Sequence, residues 1–328
     1  MNLLILVQSG FGLWNPPDWF VERLRKDFPK VEVTQRDTSS DTESYLSDAE
    51  VLVTWSLSAL QLAAAPKLKW IHSPAAAVHA LLIRELVASN IIVTNGSEVH
   101  APAVAEHVIT MVLALAKELP QAACFQQKHE WGQSQMASGK PGVRDFAGAT
   151  LGLIGAGSIG REVARLASAL GMKVIAVRND VSRGTPQHID RVYGMPDIDK
   201  LLREADYVVL AVPVTPQTSG LMSAERISQM KPEACLINVG RGQLLDEAAF
   251  LEAIRARKIG GAALDVFVEE PLPKNSPLWD LERVLITPHT AGVSNRTWER
   301  QYAFFAEDLR RYIGGEQLLG LVNKQRGY

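Results

Sequence analysis

The most constraining segment of this chain is residues 151–170, where an apolar run is followed by a Gly-x-Gly-x-x-Gly pattern and a helix-forming stretch. The apolar run is typical of a buried parallel strand. Gly155 permits a tight turn out of that strand, and Gly157 lets backbone approach a pyrophosphate because it has no Cβ. Gly160 allows the following helix to pack closely on the strand. The pattern predicts a dinucleotide-binding turn, with an ordinary glycine-rich turn as the alternative.

The residues between the second and third glycines, Ser158 and Ile159, lead into the predicted helix Arg161–Leu170. Unpaired N–H groups and the positive end of the helix dipole favour phosphate at such a point. A second apolar run, Lys173–Val177, completes the strand–helix–strand unit that this kind of site requires. We therefore expect the turn and its two following residues to contact the cofactor.

The end of that second strand bears on the choice between NAD and NADP. An acidic residue there usually binds the ribose 2′-hydroxyl of NAD, whereas an arginine can hold the 2′-phosphate of NADP. The chain has Arg178 at this place and Arg183 close behind, which favours NADP(H). NAD(H) stays possible, because a small shift of register would make Asp180 the ribose ligand and leave Arg178 as a solvated surface residue.

The composition is that of an ordinary globular chain. A length of 328 residues is enough for two domains. With 47% hydrophobic residues, 21% charged residues and a formal net charge of −2, we expect neither nucleic acid nor an anionic membrane as a partner. Cys124 and Cys235 form no metal or redox motif, so we expect two reduced, buried thiols and no metal site.

The N-terminal run Asn2–Val7 lacks a basic lead-in, and we interpret it as a first strand rather than a signal peptide. We expect no apolar stretch long enough to cross a bilayer, and hence a cytoplasmic location.

Short apolar runs alternate with helical stretches along the chain, in one set before the glycine pattern and a second set from it onward. This alternation predicts two α/β domains with doubly wound parallel sheets, the second being a Rossmann dinucleotide-binding domain. A single long helix is expected from Pro102 to about Gln127, buried between domains or subunits. An amphipathic helix from about Ser294 to Ile313 is expected to return and pack on the first domain.

Three charged side chains, Arg241, Glu270 and His289, follow predicted strands in the second half of the chain. Ligands of open α/β sheets bind outside the carboxyl ends of strands, so all three can face one crevice. An arginine fork can clamp the carboxylate of a 2-oxo acid and polarise its carbonyl. A histidine can protonate the alkoxide that forms when hydride arrives, and a carboxylate on its other ring nitrogen orients it. Each residue alone could be a surface or loop residue; together they predict hydride transfer.

Several further blocks occur in a specific order: Ala205–Leu210 with Pro213 and Pro216–Thr218, Asn238–Gly242, Ala263–Phe267 with Glu269–Leu272, and Thr287–His289. With these blocks the chain resembles the D-isomer-specific 2-hydroxyacid dehydrogenase family over nearly its whole length. The resemblance implies that Arg241 binds substrate, that Glu270 rather than Glu269 is the partner of His289, and that His289 is the acid/base. It also implies that Asp265 contacts the nicotinamide carboxamide.

The resemblance implies further cofactor contacts within the same blocks, at Val212, Pro213, Thr218 and Val239. It implies a discontinuous, flavodoxin-like substrate domain formed by residues 1–98 and 292–328, around a dinucleotide-binding domain formed by residues 99–291. It also implies a homodimer built through the cofactor domains.

The loop expected to hold the substrate carboxylate departs from the family pattern. Where the family often has Gly-x-Gly-Val-Asp, residues 73–79 read Ser-Pro-Ala-Ala-Ala-Val-His. The backbone N–H groups of Ala76, Ala77 and Val78 can still bind a carboxylate, but alanine restricts φ where glycine would not. His79 replaces an expected aspartate, and we interpret it as structural.

Together these features predict an NADP(H)-preferring reductase of small 2-oxo acids such as glyoxylate or hydroxypyruvate, with a broad-range D-2-hydroxyacid dehydrogenase as the close variant. Glu270 argues against a formate dehydrogenase, for which the resemblance would require glutamine. A phosphoglycerate dehydrogenase is expected to fit less well, since little chain follows the return helix. The alternative of a different class is a cofactor-sensing, corepressor-like binding protein with little turnover.

Overall fold

The structure is a computed structural model and describes residues 1–7, 10–36, 42–139 and 141–327, apart from the side chains of Thr42, Glu43 and Arg183. The chain forms two compact units. One consists of Met1–His100 with Val293–Tyr328, and the other of Ala101–Gly292. The predicted boundaries fall after residues 98 and 291, and the observed ones fall after residues 100 and 292.

A parallel five-stranded sheet forms the centre of the first unit. Its strands are β1 (Asn2–Leu6), β2 (Glu32–Gln35), β3 (Val51–Thr54), β4 (Trp70–Ser73) and β5 (Ile92–Asn95). They lie in the order β2-β1-β3-β4-β5, and all neighbours are parallel. This is the flavodoxin-like strand order.

A parallel seven-stranded sheet forms the centre of the second unit. Its strands are β6 (Thr150–Ile154), β7 (Lys173–Arg178), β8 (Arg191–Gly194), β9 (Tyr207–Leu210), β10 (Cys235–Asn238), β11 (Gly261–Leu264) and β12 (Val284–Ile286). Their order is β12-β11-β10-β9-β6-β7-β8. The chain changes direction across the sheet between β6 and β9, which is the place where a doubly wound sheet binds its ligand. The predicted pair of doubly wound parallel sheets is confirmed.

The helices flank these sheets. They are α1 (Asp18–Asp27), α2 (Thr42–Leu46), α3 (Ala59–Ala63), α4 (Arg84–Ala88), α5 (Ser97–Ala116), α6 (Leu119–Gln127), α7 (Gln133–Ser138), α8 (Ser158–Ala169), α9 (Ile198–Glu204), α10 (Ala224–Ser228), α11 (Glu247–Arg255) and α12 (Thr297–Gly314).

Both faces of the first sheet are covered, because alternate side chains of its strands point to opposite sides. On one face, Phe20 of α1 and Phe305 and Leu309 of α12 pack with β1, β3 and β4. On the other face, Leu46 of α2 and Leu86 of α4 pack with the same strands. The C-terminal helix therefore returns to the first sheet, as predicted.

The second sheet is buried in the same way. Val163 and Ala167 of α8 and Val108 of α5 lie against one face. Leu201 of α9 and Phe250 of α11 lie against the other face.

The single helix predicted from Pro102 to about Gln127 is wrong in extent, because the structure has two helices there. α5 begins at Ser97, contains Pro102 and ends at Ala116. Glu118 then adopts a left-handed conformation with a φ of 51° before α6 begins. A right-handed helix of L-residues cannot continue through that conformation.

α5 also corrects the expectation that no apolar stretch is long enough to cross a bilayer. By length and composition it could, with a mean hydropathy of 1.5 in an 18-residue window, but 72% of that window is buried inside the protein. A core helix satisfies the same test, and the buried apolar residues of α5 from Val104 onward pack on the second sheet. The expectation of two buried thiols is wrong for Cys124, which is exposed on α6, while Cys235 is buried in β10.

Candidate active site

The glycine turn lies between β6 and α8, and its three glycines meet different constraints. Gly155 has a φ of 112°, and a Cβ there would lie 2.5 Å from the carbonyl oxygen of Ala211. A Cβ on Gly160 would lie 2.0 Å from the carbonyl oxygen of Gly155. A Cβ on Gly157 would meet no atom of the described residues within 4 Å. The space beside Gly157 is thus open to a ligand, while the other two glycines are required by the protein's own packing.

α8 begins at Ser158, three residues before the predicted start at Arg161. Ser158 and Ile159 are half-buried in its first turn, directly after the exposed N-cap Gly157. The helix is 12 residues long, and its unpaired N–H groups and dipole favour an anion at this end. The turn and helix therefore fit the phosphates of a dinucleotide.

The end of β7 places the residues that bear on cofactor choice. Arg178 is half-buried there, and its Nη1 donates to the carbonyl oxygen of Gly184 at 3.2 Å. The carboxylate of Asp180 accepts from the backbone N and the hydroxyl of Ser182, at 3.1 and 2.5 Å. Asp180 is thus engaged within its own turn. The side chain of Arg183 lies outside the described part of the structure.

The loop after β9 borders the glycine turn, since a Cβ on the first glycine would lie 2.8 Å from Cγ1 of Val212. The hydroxyl of Thr218 donates to the carbonyl oxygen of Pro213 at 2.7 Å and accepts from the backbone N of Thr215 at 2.8 Å. Thr218 therefore holds the shape of this loop in addition to any contact with cofactor. Val239, the residue after β10, is buried at 8% exposure.

Arg241 follows β10 in a turn that Asn238 holds. The side chain of Asn238 donates to the carbonyl oxygen of Arg241 at 2.9 Å and accepts from the backbone N of Gly240 at 3.1 Å. Burial lowers the pKa of the Arg241 guanidinium below its usual value, and the negative charge of Glu270 opposes that shift. An arginine remains charged through such a shift, so Arg241 is a largely desolvated cation.

His289 and Glu270 form a direct pair. His289 Nδ1 lies 2.6 Å from Glu270 Oε2, and the other oxygen, Oε1, accepts from the backbone N of Phe267 at 2.8 Å. Glu270 is therefore held at both oxygens, and it orients the imidazole. Because Glu270 also acts electrostatically on Arg241, the structure brings together all three residues that the sequence singled out.

Asp265 anchors the loop that carries His289. Its carboxylate, 1% exposed, accepts from the hydroxyl of Thr287 at 2.6 Å and from the backbone N atoms of Thr290 and Ala291 at 2.9 and 3.0 Å. His107 of α5 approaches the same carboxylate at 3.6 Å and lies 3.0 Å from the Thr287 hydroxyl. The contacts of Asp265 with Thr287, Thr290 and Ala291 hold the chain on both sides of His289. Asp265 therefore has this structural role in addition to its predicted contact with nicotinamide.

The direction of these hydrogen bonds follows from their chemistry. The Thr287 hydroxyl has one proton, and the short contact to a carboxylate uses it. His107 must therefore donate from Nε2 to the Thr287 oxygen. His289 itself has a φ of 52° and its backbone N donates to the carbonyl oxygen of Asp265 at 2.9 Å. This left-handed conformation is unfavourable for histidine, so the anchoring by Asp265 is what maintains it.

The predicted carboxylate loop lies in the first unit, after β4. The side chain of Asn95 donates to the carbonyl oxygen of Ala76 at 2.7 Å, and His100 Nε2 donates to that of Pro74 at 2.9 Å. Ala76 and Ala77 are half-buried, and Val78 is buried. The loop is therefore held by hydrogen bonds from β5 and α5. His79 is exposed.

The sequence did not indicate Asn238, Thr287 or His107 as site residues. Asn238 and Thr287 stand within recognisable blocks, next to residues that were singled out, and proximity to them is the one signal available. Within the described ranges, no group of three or more His, Cys, Asp or Glu side chains could hold a metal ion.

Comparison with known proteins places these features in context. The family model for the "D-isomer specific 2-hydroxyacid dehydrogenase, NAD binding domain" matches residues 109–291. D-3-phosphoglycerate dehydrogenase of Methanocaldococcus jannaschii is 33% identical over 92% of this chain, which spans only 57% of that relative's length. Glyoxylate reductase of Thermococcus onnurineus is 32% identical over 94% of each chain.

Among solved structures, the NADPH-dependent glyoxylate/hydroxypyruvate reductase from Sinorhizobium meliloti, in complex with NADP and sulfate, is 25% identical with a TM-score of 0.82. The match covers 100% of this chain and 99% of that one. The two-sheet architecture described above is therefore shared over its whole length.

Proposed function

Because the chain belongs to the D-isomer specific 2-hydroxyacid dehydrogenase family, we propose that it transfers a hydride between a nicotinamide cofactor and the carbonyl carbon of a small 2-oxo acid. The observation that carries this proposal is the His289–Glu270 pair at 2.6 Å, with the desolvated Arg241 within its electrostatic reach. Glyoxylate and hydroxypyruvate are the first substrates to test, with a broader range of 2-oxo acids as the variant.

The bound cofactor supplies the hydride. On the protein side, the open space beside Gly157 and the first turn of α8 would hold its pyrophosphate, with Val212 at the border of the same turn. Asp265 and Val239 would meet the nicotinamide half.

His289 supplies the proton for reduction. Its Nδ1 is engaged by Glu270, so Nε2 is the ring nitrogen that can reach a substrate oxygen. When the carbonyl carbon accepts hydride, the developing alkoxide takes the proton from Nε2, and the Glu270 carboxylate stabilises the imidazolium before that transfer. In the oxidation direction the same nitrogen accepts the proton.

Arg241 binds the substrate carboxylate and polarises the carbonyl. Its partial burial strengthens such a contact, since a desolvated guanidinium gains more from an anion than a solvated one. The backbone N–H groups of Ala76, Ala77 and Val78 in the first unit are proposed as a further contact for the carboxylate.

NADP(H) is the proposed preferred cofactor. Arg178 stands at the end of β7 and donates from Nη1 to the carbonyl oxygen of Gly184, and the guanidinium has further N–H groups that can bind a 2′-phosphate. Asp180, the competing ribose ligand, already accepts two hydrogen bonds from Ser182.

The activity is tested by following nicotinamide absorbance with glyoxylate and hydroxypyruvate, using NADPH and NADH in turn. His289→Asn should lower kcat by roughly 10²–10⁴-fold while cofactor still binds, since that is the usual contribution of general acid/base catalysis. His188→Asn, at an exposed histidine of the same unit, is the matched control and should retain full turnover. Cofactor binding without turnover of any 2-oxo acid would overturn the proposal and favour a sensing protein.

We also propose a homodimer built through the second unit. α6 and α7 bury none of their described side chains, and Leu119 and Trp131 are 55% and 89% exposed. Leu119 lies in α6 and Trp131 in the loop between α6 and α7, and exposed apolar groups of this size are typical of a protein–protein interface. Trp131→Ser should reduce the mass in solution from dimer to monomer, whereas Trp279→Ser, at a tryptophan 50% exposed elsewhere in the unit, should not. A monomeric parent protein would refute this proposal.

A further inference from the structure

A histidine of α5 is bonded to the loop of the second unit that carries His289. His107 Nε2 lies 3.0 Å from the hydroxyl oxygen of Thr287 and 3.6 Å from Oδ1 of Asp265. The shorter distance is a hydrogen bond, whereas the longer one is beyond hydrogen-bond range. His107 therefore acts on the Asp265 carboxylate through the hydroxyl of Thr287.

Two neighbouring strands bring Asp265 and Thr287 side by side. Leu264 of β11 pairs with Ile286 of β12 in parallel register, and Asp265 and Thr287 each follow directly. The backbone N of Thr287 donates to the carbonyl oxygen of Leu264 at 3.0 Å. The sheet therefore fixes both ends of the 2.6 Å contact from the Thr287 hydroxyl to Asp265.

The N–H of His107 determines which way the Thr287 hydroxyl points. A hydroxyl has one proton and accepts at its oxygen. When His107 donates to that oxygen, the proton is directed to Asp265, and a hydroxyl–carboxylate hydrogen bond is charge-assisted and strong. Hydrogen bonds in such a chain strengthen one another inside a protein. We call His107, Thr287 and Asp265 the support chain.

The support chain ends on the backbone next to His289. The Asp265 carboxylate accepts from the backbone N atoms of Thr290 and Ala291, and the Asp265 carbonyl oxygen accepts from the backbone N of His289. His289 has a φ of 52°, which persists only where the surroundings hold it. The position of its imidazole thus depends on the Asp265 carboxylate staying in place.

The packing of α5 gives no other reason for a histidine at this point. Val104 and Met111, one turn before and one turn after it, are buried and apolar. The side chain of His107 is 22% exposed, and burying a polar ring is unfavourable unless it is hydrogen-bonded. The bond to Thr287 is therefore what the histidine contributes here.

We infer that His107 is a positioning residue, which keeps His289 Nε2 where it exchanges a proton with the substrate; this inference rests on the proposed function. Loss of the His107 N–H lowers kcat, because misplacing a reacting group by about 1 Å costs about a hundredfold in rate. The KM for the 2-oxo acid changes little, since Asn238 rather than the support chain holds the Arg241 turn.

The test compares His107→Leu with His107→Gln, using glyoxylate and hydroxypyruvate. Leucine occupies the space but cannot donate a hydrogen bond, whereas the amide of glutamine can donate from near the position of Nε2. His107→Leu should lower kcat by about ten- to a hundredfold, and His107→Gln should restore most of it. Thr287→Val should resemble His107→Leu. The double variant should be no slower than the slower single variant, because both changes break the same chain.

A second readout does not depend on turnover. The amide hydrogens of Thr290 and Ala291 should exchange with solvent about tenfold faster in His107→Leu, because their acceptor is held less firmly. His107→Gln should keep the exchange rates of the parent protein. Thr110→Val is the matched control on α5, since the Thr110 hydroxyl donates to the carbonyl oxygen of Glu106 at 2.8 Å. It should change neither kcat nor these exchange rates.

Two results would overturn the inference while the proposed function stands: a kcat that His107→Leu leaves unchanged, or an equal loss of kcat in His107→Leu and His107→Gln. The second result would show that the shape of the ring matters and its N–H does not. A parent protein that turns over no 2-oxo acid would overturn the proposed function, and the exchange rates would then decide whether His107 holds the loop.

Discussion

Protonation of one buried histidine should make the stability of this protein fall between pH 7 and pH 5. His72 of β4 is 0% exposed, and burial lowers the pKa of its imidazole from 6.5 to about 3. Nδ1 lies 2.9 Å from the Thr94 hydroxyl and Nε2 lies 2.6 Å from the amide of Gln301, which ties β4, β5 and α12 together. The folded state therefore keeps this ring neutral at pH values where the unfolded chain protonates it.

The magnitude follows from the difference between the two pKa values. A lowered folded-state pKa contributes stability that is fully present above pH 6.5 and is lost as the pH falls from 6.5 toward 3. Each pH unit in that interval costs about 1.4 kcal/mol. Between pH 7 and pH 5 the free energy of unfolding should thus fall by about 2 kcal/mol from His72 alone.

The measurement is the free energy of unfolding in urea, at pH 7 and pH 5, of the parent chain and of His72→Gln. The variant has no titrating group at this position, so its loss over the interval should be smaller by about 2 kcal/mol even though its absolute stability is lower. His79→Gln, at the exposed histidine of the following loop, should lose as much as the parent chain. Equal losses in the parent chain and His72→Gln would refute the reasoning.

Three further predictions concern the second unit. Arg178→Asp should reverse a preference for NADPH over NADH of about ten- to a hundredfold in kcat/KM at low salt, because it replaces a phosphate partner with a ribose acceptor; equal use of both cofactors, unaffected by Arg178→Ala, would show that Asp180 or backbone binds the ribose. Glu270→Gln should lower kcat while cofactor still binds, since the imidazole loses the carboxylate that orients it through Nδ1, and an unchanged kcat would reject the pairing. Gly160→Ala should destabilise the fold by about 1–3 kcal/mol through overpacking, whereas Gly157→Ala should fold normally and bind cofactor more weakly; equal urea midpoints for the two variants would contradict this difference.

The sequence predicts the two sheets well, because each buried strand is a short apolar run between helical stretches. β8 is not predicted, since Arg191 is exposed and the other residues of this edge strand are half-buried. The break between α5 and α6 is also missed. It depends on the left-handed φ of Glu118, and glutamate carries no local signal for that conformation.

The sequence predicts the charged residues of the candidate site, and it misses the residues that hold them in place. Arg241, Glu270 and His289 follow strands, and parallel strands bring their carboxyl ends to one edge, so their meeting can be expected from order alone. The contact of His107 with Thr287 joins residues far apart in sequence across the packing of α5 on the sheet. No spacing rule predicts such a contact.

The discontinuity of the first unit determines the order in which the chain can complete its fold during synthesis. β1 to β5 leave the ribosome first, but one face of their sheet is covered by Tyr302, Phe305 and Leu309 of α12. Until those residues emerge, the part of that face that α1 does not cover leaves apolar side chains exposed to water. The second unit lies wholly between the two segments and can close first. The nascent chain therefore carries a partly uncovered apolar face from the synthesis of β5 until α12 has emerged, and such exposed apolar surface is prone to aggregation.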